Sequence, residues 1–458
     1  MGVEHEAWCG QVRRPLNPQE TAGTQIDVHF AVLPAVARNK KPDPVFFFAG
    51  GPGQSAIDLA GAAGALLARF GHRRDIVLVD QRGTGLSAPL RCPEDDARTA
   101  ALRPLRELAD PARQTDDILR CLKTLQKLPH GDLRQFTTTI AMQDIEAVRR
   151  ALGAPAINLV GGSYGTRAVL EFMRQFPAAV RRAVIDGVAP PDMALPAAFS
   201  PDAQAALDAL LARCEAEAAC KQRHPALREG WHRLLDSLPR EALLTHPLTG
   251  AIERVTLTRD AVLSLVRAPL YAPALASALP FALSEAAAGR FTPLFGLATA
   301  LGSGRGSTLA QGMHFSVVCA EDMPRVAASN ETPGGDFGRS LLEVYLRTCA
   351  AWPRGEVPEA FYAIPQARTA TLLLSGGLDP VTPPRHATRV AAALGSKALH
   401  VVVPQAGHGV MSLGCMRDVV FRFLDAATDE LAMKVDAGCA AQVPRPGVFV
   451  PPSAGAAP

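Results

Sequence analysis

Gly161-Gly162-Ser163-Tyr164-Gly165 decides how this chain is read. The stretch follows the apolar run Ala156-Ile157-Asn158-Leu159-Val160 and precedes a helix-like stretch from Thr166 to Phe176. This is G-x-S-x-G in a strand–turn–helix setting. So tight a turn requires small residues beside the serine. It lifts the serine to the top of a sheet, at a helix N-terminus, where its hydroxyl is exposed for chemistry. The plain alternative is a small-residue turn that packs a helix onto a strand.

Outward from this turn the pattern repeats. Ile26 to Leu33 alternates as a strand, and Val45 to Phe48 is a short buried strand ending in Gly50-Gly51-Pro52-Gly53. Asp75 to Asp80 is another, stopped by Gln81-Arg82-Gly83-Thr84-Gly85. Thr138 to Leu152 has helical spacing, and Arg182 to Asp186 follows the serine helix as a further strand. Strands alternating with helices predict a mostly parallel sheet covered on both faces. From Pro190 to Pro365 the sequence turns Ala/Leu-rich and helical, with no convincing strand series. The sheet pattern resumes at Thr371–Ser375 and Leu399–Val403, and Cys415 to Ala427 predicts a last helix. The expected organisation is therefore a sheet core in two parts, residues 1–189 and 366–443. A helical cap at 190–365 interrupts it, and a Pro/Ala/Gly-rich tail at 444–458 is expected to be disordered.

A serine hydroxyl needs a base to take its proton and an acid to orient that base. Ser163, Asp379 and His408 occur in the chain order Ser, Asp, His that α/β-hydrolases use, each just past a strand. Of the eleven histidines, His400 lies within a strand run, His386 in a helix and His314 in the insertion. His408 alone among these sits between glycines just past a strand. Asp379 could instead cap a helix before Pro380, which would leave Asp186 as the weaker candidate for the acid. The oxyanion of acyl transfer needs two N–H donors, expected from Tyr164 and Gly51. Gly83-Thr84-Gly85-Leu86-Ser87-Ala88 imitates a dinucleotide fingerprint, but Pro89 stands where a phosphate-binding helix should run. The loop Gly302–Ser307 lacks the lysine of a P-loop, and H-E-x-x-H is absent. No cofactor and no metal are expected.

Composition agrees. The chain has 458 residues, 48% hydrophobic and 20% charged, with a formal net charge of +3 and no dense basic run, which argues against nucleic acid or an anionic membrane as partner. Ala261 to Ala288 is apolar but broken by Arg267, Pro269, Pro273, Pro280 and Glu285, so it reads as packed helices and not a membrane span. Nine cysteines include no C-x-x-C pair. Eight fall into sequence-local couples: Cys92/Cys121, Cys214/Cys220, Cys319/Cys349 and Cys415/Cys439. That suggests disulfides and an oxidising compartment; the alternative is free buried cysteines in a cytosolic enzyme. Cys9 is left over, and the first residues carry no signal-peptide pattern. The expectation is a periplasmic or secreted protein whose leader has been removed.

With these residues in hand, the chain resembles the proline iminopeptidase and tripeptidyl aminopeptidase branch of the α/β-hydrolases, from about Cys9 to Cys439. The resemblance rests on Gly50-Gly51-Pro52-Gly53-Gln54-Ser55, Val79-Asp80-Gln81-Arg82-Gly83-Thr84-Gly85, Gly161–Thr166, Gly377-Leu378-Asp379-Pro380-Val381-Thr382-Pro383 and Gly407-His408-Gly409. Cys319-Ala320-Glu321 and Cys349-Ala350-Ala351-Trp352-Pro353 also look like features of that group. It departs at Ala49, where iminopeptidases usually place His before the glycines. The resemblance implies an α/β-hydrolase fold with a large helical cap and the triad Ser163, Asp379, His408. It implies short peptides cut from a free N-terminus through an acyl-serine; a carboxylesterase with the same triad is the alternative. An aminopeptidase must also bind an α-ammonium group, for which Glu321 and then Asp322, late in the cap, are the candidates.

Overall fold

The computed structural model describes residues 6–92, 111–245, 250–302 and 309–451. Eight strands form one twisted sheet in the order β1-β2-β4-β3-β5-β6-β9-β10. They are β1 (Trp8–Pro15), β2 (Gln25–Leu33), β3 (Val45–Phe48), β4 (Ile76–Val79), β5 (Ile157–Gly162), β6 (Val180–Asp186), β9 (Thr371–Gly376) and β10 (Ala398–Val403). The pairs β1/β2 and β2/β4 are antiparallel, and every pairing from β4 to β10 is parallel. Parallel strands need both faces covered, and successive residues serve opposite faces. Leu159 of β5 and Ile185 of β6 enter one apolar core; their neighbours Val160 and Val184 enter the other. The chain is thus an α/β-hydrolase fold with a mostly parallel central sheet.

Between β6 and β9 a long helix, Leu195–Ala216, leads into shorter ones that surround a third apolar core built on Trp231, Leu207 and Leu283. The sequence shows this region as helical only. The structure adds a hairpin, β7 (Arg240–Thr245) with β8 (Ile252–Leu257). Its strands are rich in Leu, Glu, Ala and Arg, ordinary helix formers. Cross-strand pairing and burial of Leu244, Val255 and Leu257 in the cap core decide otherwise. β1 also escapes the sequence reading, because it is an edge strand with charged and exposed positions.

Four disulfides are present, Cys92–Cys121, Cys214–Cys220, Cys319–Cys349 and Cys415–Cys439, with Cys9 free and exposed. Residues 444–451, read from sequence as part of a disordered tail, pack on the cap: Phe449 N–H donates to the Ser277 carbonyl and its ring stacks on Phe281. One aromatic contact and a backbone bond outweigh the composition there. Residues 452–458 and most of the Gly302–Ser307 loop lie outside the described residues. Among the described residues no helix is long and apolar enough to cross a membrane.

Candidate active site

Ser163 stands between β5 and the helix Tyr164–Gln175 with φ 55° and ψ −126°, a backbone state that costs a non-glycine residue energy. The neighbouring glycines make it possible. A Cβ on Gly165 would come 2.2 Å from the Phe48 carbonyl oxygen, and one on Gly161 would come 2.5 Å from that of Gly165. The Ser163 N–H donates to the Asp186 carbonyl at 2.9 Å, tying the turn to the end of β6.

Asp379 and His408 arrive on the loops after β9 and β10. His408 Nδ1 lies 2.8 Å from Asp379 Oδ2. The same carboxylate accepts from the backbone N–H groups of Val381 (2.8 Å) and Thr382 (2.9 Å) and from the Thr382 hydroxyl (2.8 Å). Asp379 is therefore locked by four donors when the histidine is counted. Burial pushes its pKa up, but the His408 charge and these bonds hold the carboxyl below its usual range. His408 feels the converse. Burial pulls it down, and the Asp379 carboxylate, aided by Asp186, more than reverses that, so its pKa stands above the ordinary 6.5.

The competing acid has another task. Asp186 Oδ2 accepts from the Val410 and Met411 N–H groups at 2.7 and 2.8 Å, which anchors the His408 loop. Burial raises its carboxyl to about 6. The histidine turn is also held by the Tyr271 carbonyl, which accepts the His408 N–H at 2.9 Å, while the Tyr271 ring stands edge-on to the imidazole at 5.3 Å.

Ser163, His408, Gly51, Tyr164 and Asp186 all line one pocket, together with Phe199, Tyr271 and Met411. Among the described residues no hydrogen bond joins the Ser163 hydroxyl to His408; the imidazole is held from its Nδ1 side, by Asp379 and Thr382. Tyr164 is the first residue of its helix, and such amides have no intrahelical acceptor. Gly51 adopts φ 111°, inside the loop that follows β3. Asp80 braces that loop: its carboxylate accepts from the Ser55 hydroxyl (2.7 Å), the Ile57 N–H (3.1 Å) and the Leu86 N–H (3.3 Å). The cap braces it from above, through Ala310 N–H to the Gly53 carbonyl and His314 Nδ1 to the Pro52 carbonyl.

Glu321 and Asp322 are placed differently from the sequence expectation. Both are fully buried, and neither lines the Ser163 pocket. Asp322 takes a two-pronged bond from Arg167 (2.9 and 3.0 Å) and the Leu195 N–H (3.0 Å). Glu321 accepts from the N–H and hydroxyl of Thr138 at 2.7 and 3.0 Å, with Arg167 at 3.5 Å. Arg167 sits on the serine helix, so the pair fastens the cap to that helix. Burial lifts Glu321 to about 7. The sequence reading missed Thr382, Tyr271 and His314 as supports. Thr382 lies within a quoted motif, whereas Tyr271 and His314 carry no local signal.

The α/β hydrolase fold family model matches residues 43–213, and that of the TAP-like proteins matches residues 333–432. The chain is an α/β-hydrolase with a TAP-like C-terminal part. Serine protease Hip1 of Mycobacterium tuberculosis is 27% identical over 406 residues, covering 82% of this chain and 77% of that protein. The tripeptidyl aminopeptidase of Streptomyces coelicolor is 28% identical over 200 residues, 40% of this chain and 35% of that protein. Carboxylesterase B of Mycobacterium tuberculosis is 27% identical over 192 residues, 40% of this chain and 36% of that protein.

Proposed function

We propose that the chain is a serine peptidase that releases short peptides from a free N-terminus through an acyl-serine intermediate. The observation that carries the hydrolase chemistry is the 2.8 Å His408–Asp379 bond in the pocket that holds Ser163. In this reading His408 Nε2 takes the Ser163 proton as the hydroxyl attacks a carbonyl carbon. Asp379 fixes the imidazole with its proton on Nδ1 and stabilises the imidazolium. The N–H groups of Gly51 and Tyr164 receive the oxyanion, and His408 returns its proton to the leaving amine. Water then repeats the sequence on the acyl-serine. The names of the relatives favour a peptide as substrate over an ester, since the relative matching most of the chain is a serine protease. Four disulfides favour an oxidising compartment outside the cytoplasm.

The test is hydrolysis of a matched set by the protein and its Ser163→Ala variant. The set is a free tripeptide anilide, its N-acetylated twin, a prolyl anilide and a short-chain aryl ester. Cleavage of the free peptide but not the blocked one, lost by about 10⁴-fold or more in Ser163→Ala, is the expected result. Ester cleavage alone would leave the carboxylesterase reading, and full activity in Ser163→Ala would place the chemistry elsewhere.

A further inference from the structure

Arg267, on the cap helix Arg259–Leu270 beside the catalytic pocket, is a cation without a counter-ion among the described residues. Its guanidinium lies over the Phe199 ring at 4.6 Å, and Nη2 donates to the Tyr271 hydroxyl at 3.1 Å. Phe199 and Tyr271 are both walls of the Ser163 pocket. Phe199 also lines a second, mainly apolar pocket in the cap, together with Arg267, Leu263 and Val344. Arg267 Nε is buried there with no hydrogen-bond partner. Among the described residues no carboxylate comes within ion-pairing distance of it. Asp260 lines the same pocket but sits seven residues earlier on the helix, about 10 Å along its axis. A half-buried guanidinium normally finds a carboxylate, because it loses hydration and gains little from aromatic faces alone. Here Nη2 is used by Tyr271 and one face by Phe199, while Nη1, which is not closed off as Nε is, has no partner among the described residues.

We infer that the cap pocket beside Phe199 is a subsite for a carboxylate on the substrate, with Arg267 as the residue that selects it. The apolar walls suit a short methylene chain and the guanidinium suits its charged end, the two parts of a glutamyl side chain. The terminal carboxylate of a short peptide offers the same chemistry from a different direction. The inference rests on the peptidase reading for the identity of the substrate, but not for the recognition of its charge.

The test compares kcat/KM within twin substrates that differ only in charge: free tripeptide anilides with Glu or Gln at each position in turn, a tetrapeptide as free acid or amide, and nitrophenyl hydrogen glutarate against nitrophenyl pentanoate. A charge-assisted bond predicts a preference of about 10–100-fold for the acid at one site. The tripeptide series assigns it to a side chain, and the tetrapeptide pair to the terminal carboxylate. Arg267→Gln should bring that ratio close to one, and Arg267→Glu should turn the preference toward Lys at the same position. No acid preference at any position in the native protein overturns the inference. So does a ratio that survives Arg267→Gln, because a merely structural arginine would lower both twins together. The ester pair separates the two ideas: an acid preference there, with no peptide cleaved, would sink the peptidase reading and leave the subsite standing.

Discussion

Asp379 and Asp322 are both hidden from solvent and both bound by several donors, yet they serve opposite ends. Asp379 holds an imidazole that opens onto the Ser163 pocket. Asp322 holds a guanidinium on the serine helix, and everything around it is closed. The lesson is that burial and charge pairing do not distinguish chemistry from mortar. What distinguishes them is whether the partner has a face left for substrate. His408 keeps its Nε2 side for the pocket, whereas Arg167 spends both Nη groups on Asp322, Glu321 and the carbonyls of Pro190 and Met193, and its Nε is buried without a partner.

The sharpest break in this comparison is Asp379→Asn. It preserves shape but reverses the hydrogen bond to His408, so the imidazole is held in the wrong tautomer. Turnover per active site should fall by about 10⁴-fold, with melting temperature little changed. A loss below tenfold would demote Asp379 to a turn-stabilising residue. Asp322→Asn should do the reverse. It leaves Arg167 charged and short of a partner in a dry site, which costs about 3–5 kcal/mol. Urea unfolding would measure that loss, while turnover per folded molecule should hold within a few-fold. Glu321→Gln should cost less, because burial already carries the Glu321 carboxyl up to about 7, toward the neutral form that Gln imitates. It should also leave any preference for free N-termini unchanged. A lost preference would restore Glu321 as the ammonium site despite its enclosure.

The same contrast explains what the sequence made legible. Ser163, Asp379 and His408 lie on turns at strand ends, where Gly161, Gly165, Gly376 and Gly407 must be small for the chain to pass. A Cβ on Gly376, for instance, would come 1.9 Å from the Gly407 carbonyl oxygen. Such constraints are local and leave a local signature. The cap follows no such rule. Glu321 looks like a lone acid near a lid edge until Arg167, 154 residues earlier, is brought against it. Likewise, nothing near Arg267 in sequence announces Phe199 or Tyr271. Side chains whose meaning depends on distant partners cannot be read from their neighbours, and the hairpin β7/β8 was missed for the same reason.

The smallest expected effect concerns pH, and here the two regions pull apart. In the proposed mechanism His408 must be neutral to accept the serine proton, and Asp379 holds its pKa above the ordinary 6.5. The acid limb of kcat/KM should therefore have its midpoint above 6.5 and should move to lower pH in Asp379→Asn. Stability should run the other way. Glu321 titrates at about 7 in the fold and Asp186 at about 6, against ordinary values of 4.5 and 3.8. The folded chain thus keeps these protons longer than the unfolded chain does. With His408 also raised, the stabilisation is fully present below the unfolded values and is lost as pH rises through the folded ones. Between about pH 4.5 and 7 the melting temperature should decline by roughly a few degrees, and Glu321→Gln should flatten part of that slope. A melting temperature that climbs steadily from pH 5 to 7.5 would show that the buried carboxyls ionise freely. The closed cluster beneath the serine helix would then have to be opened to water.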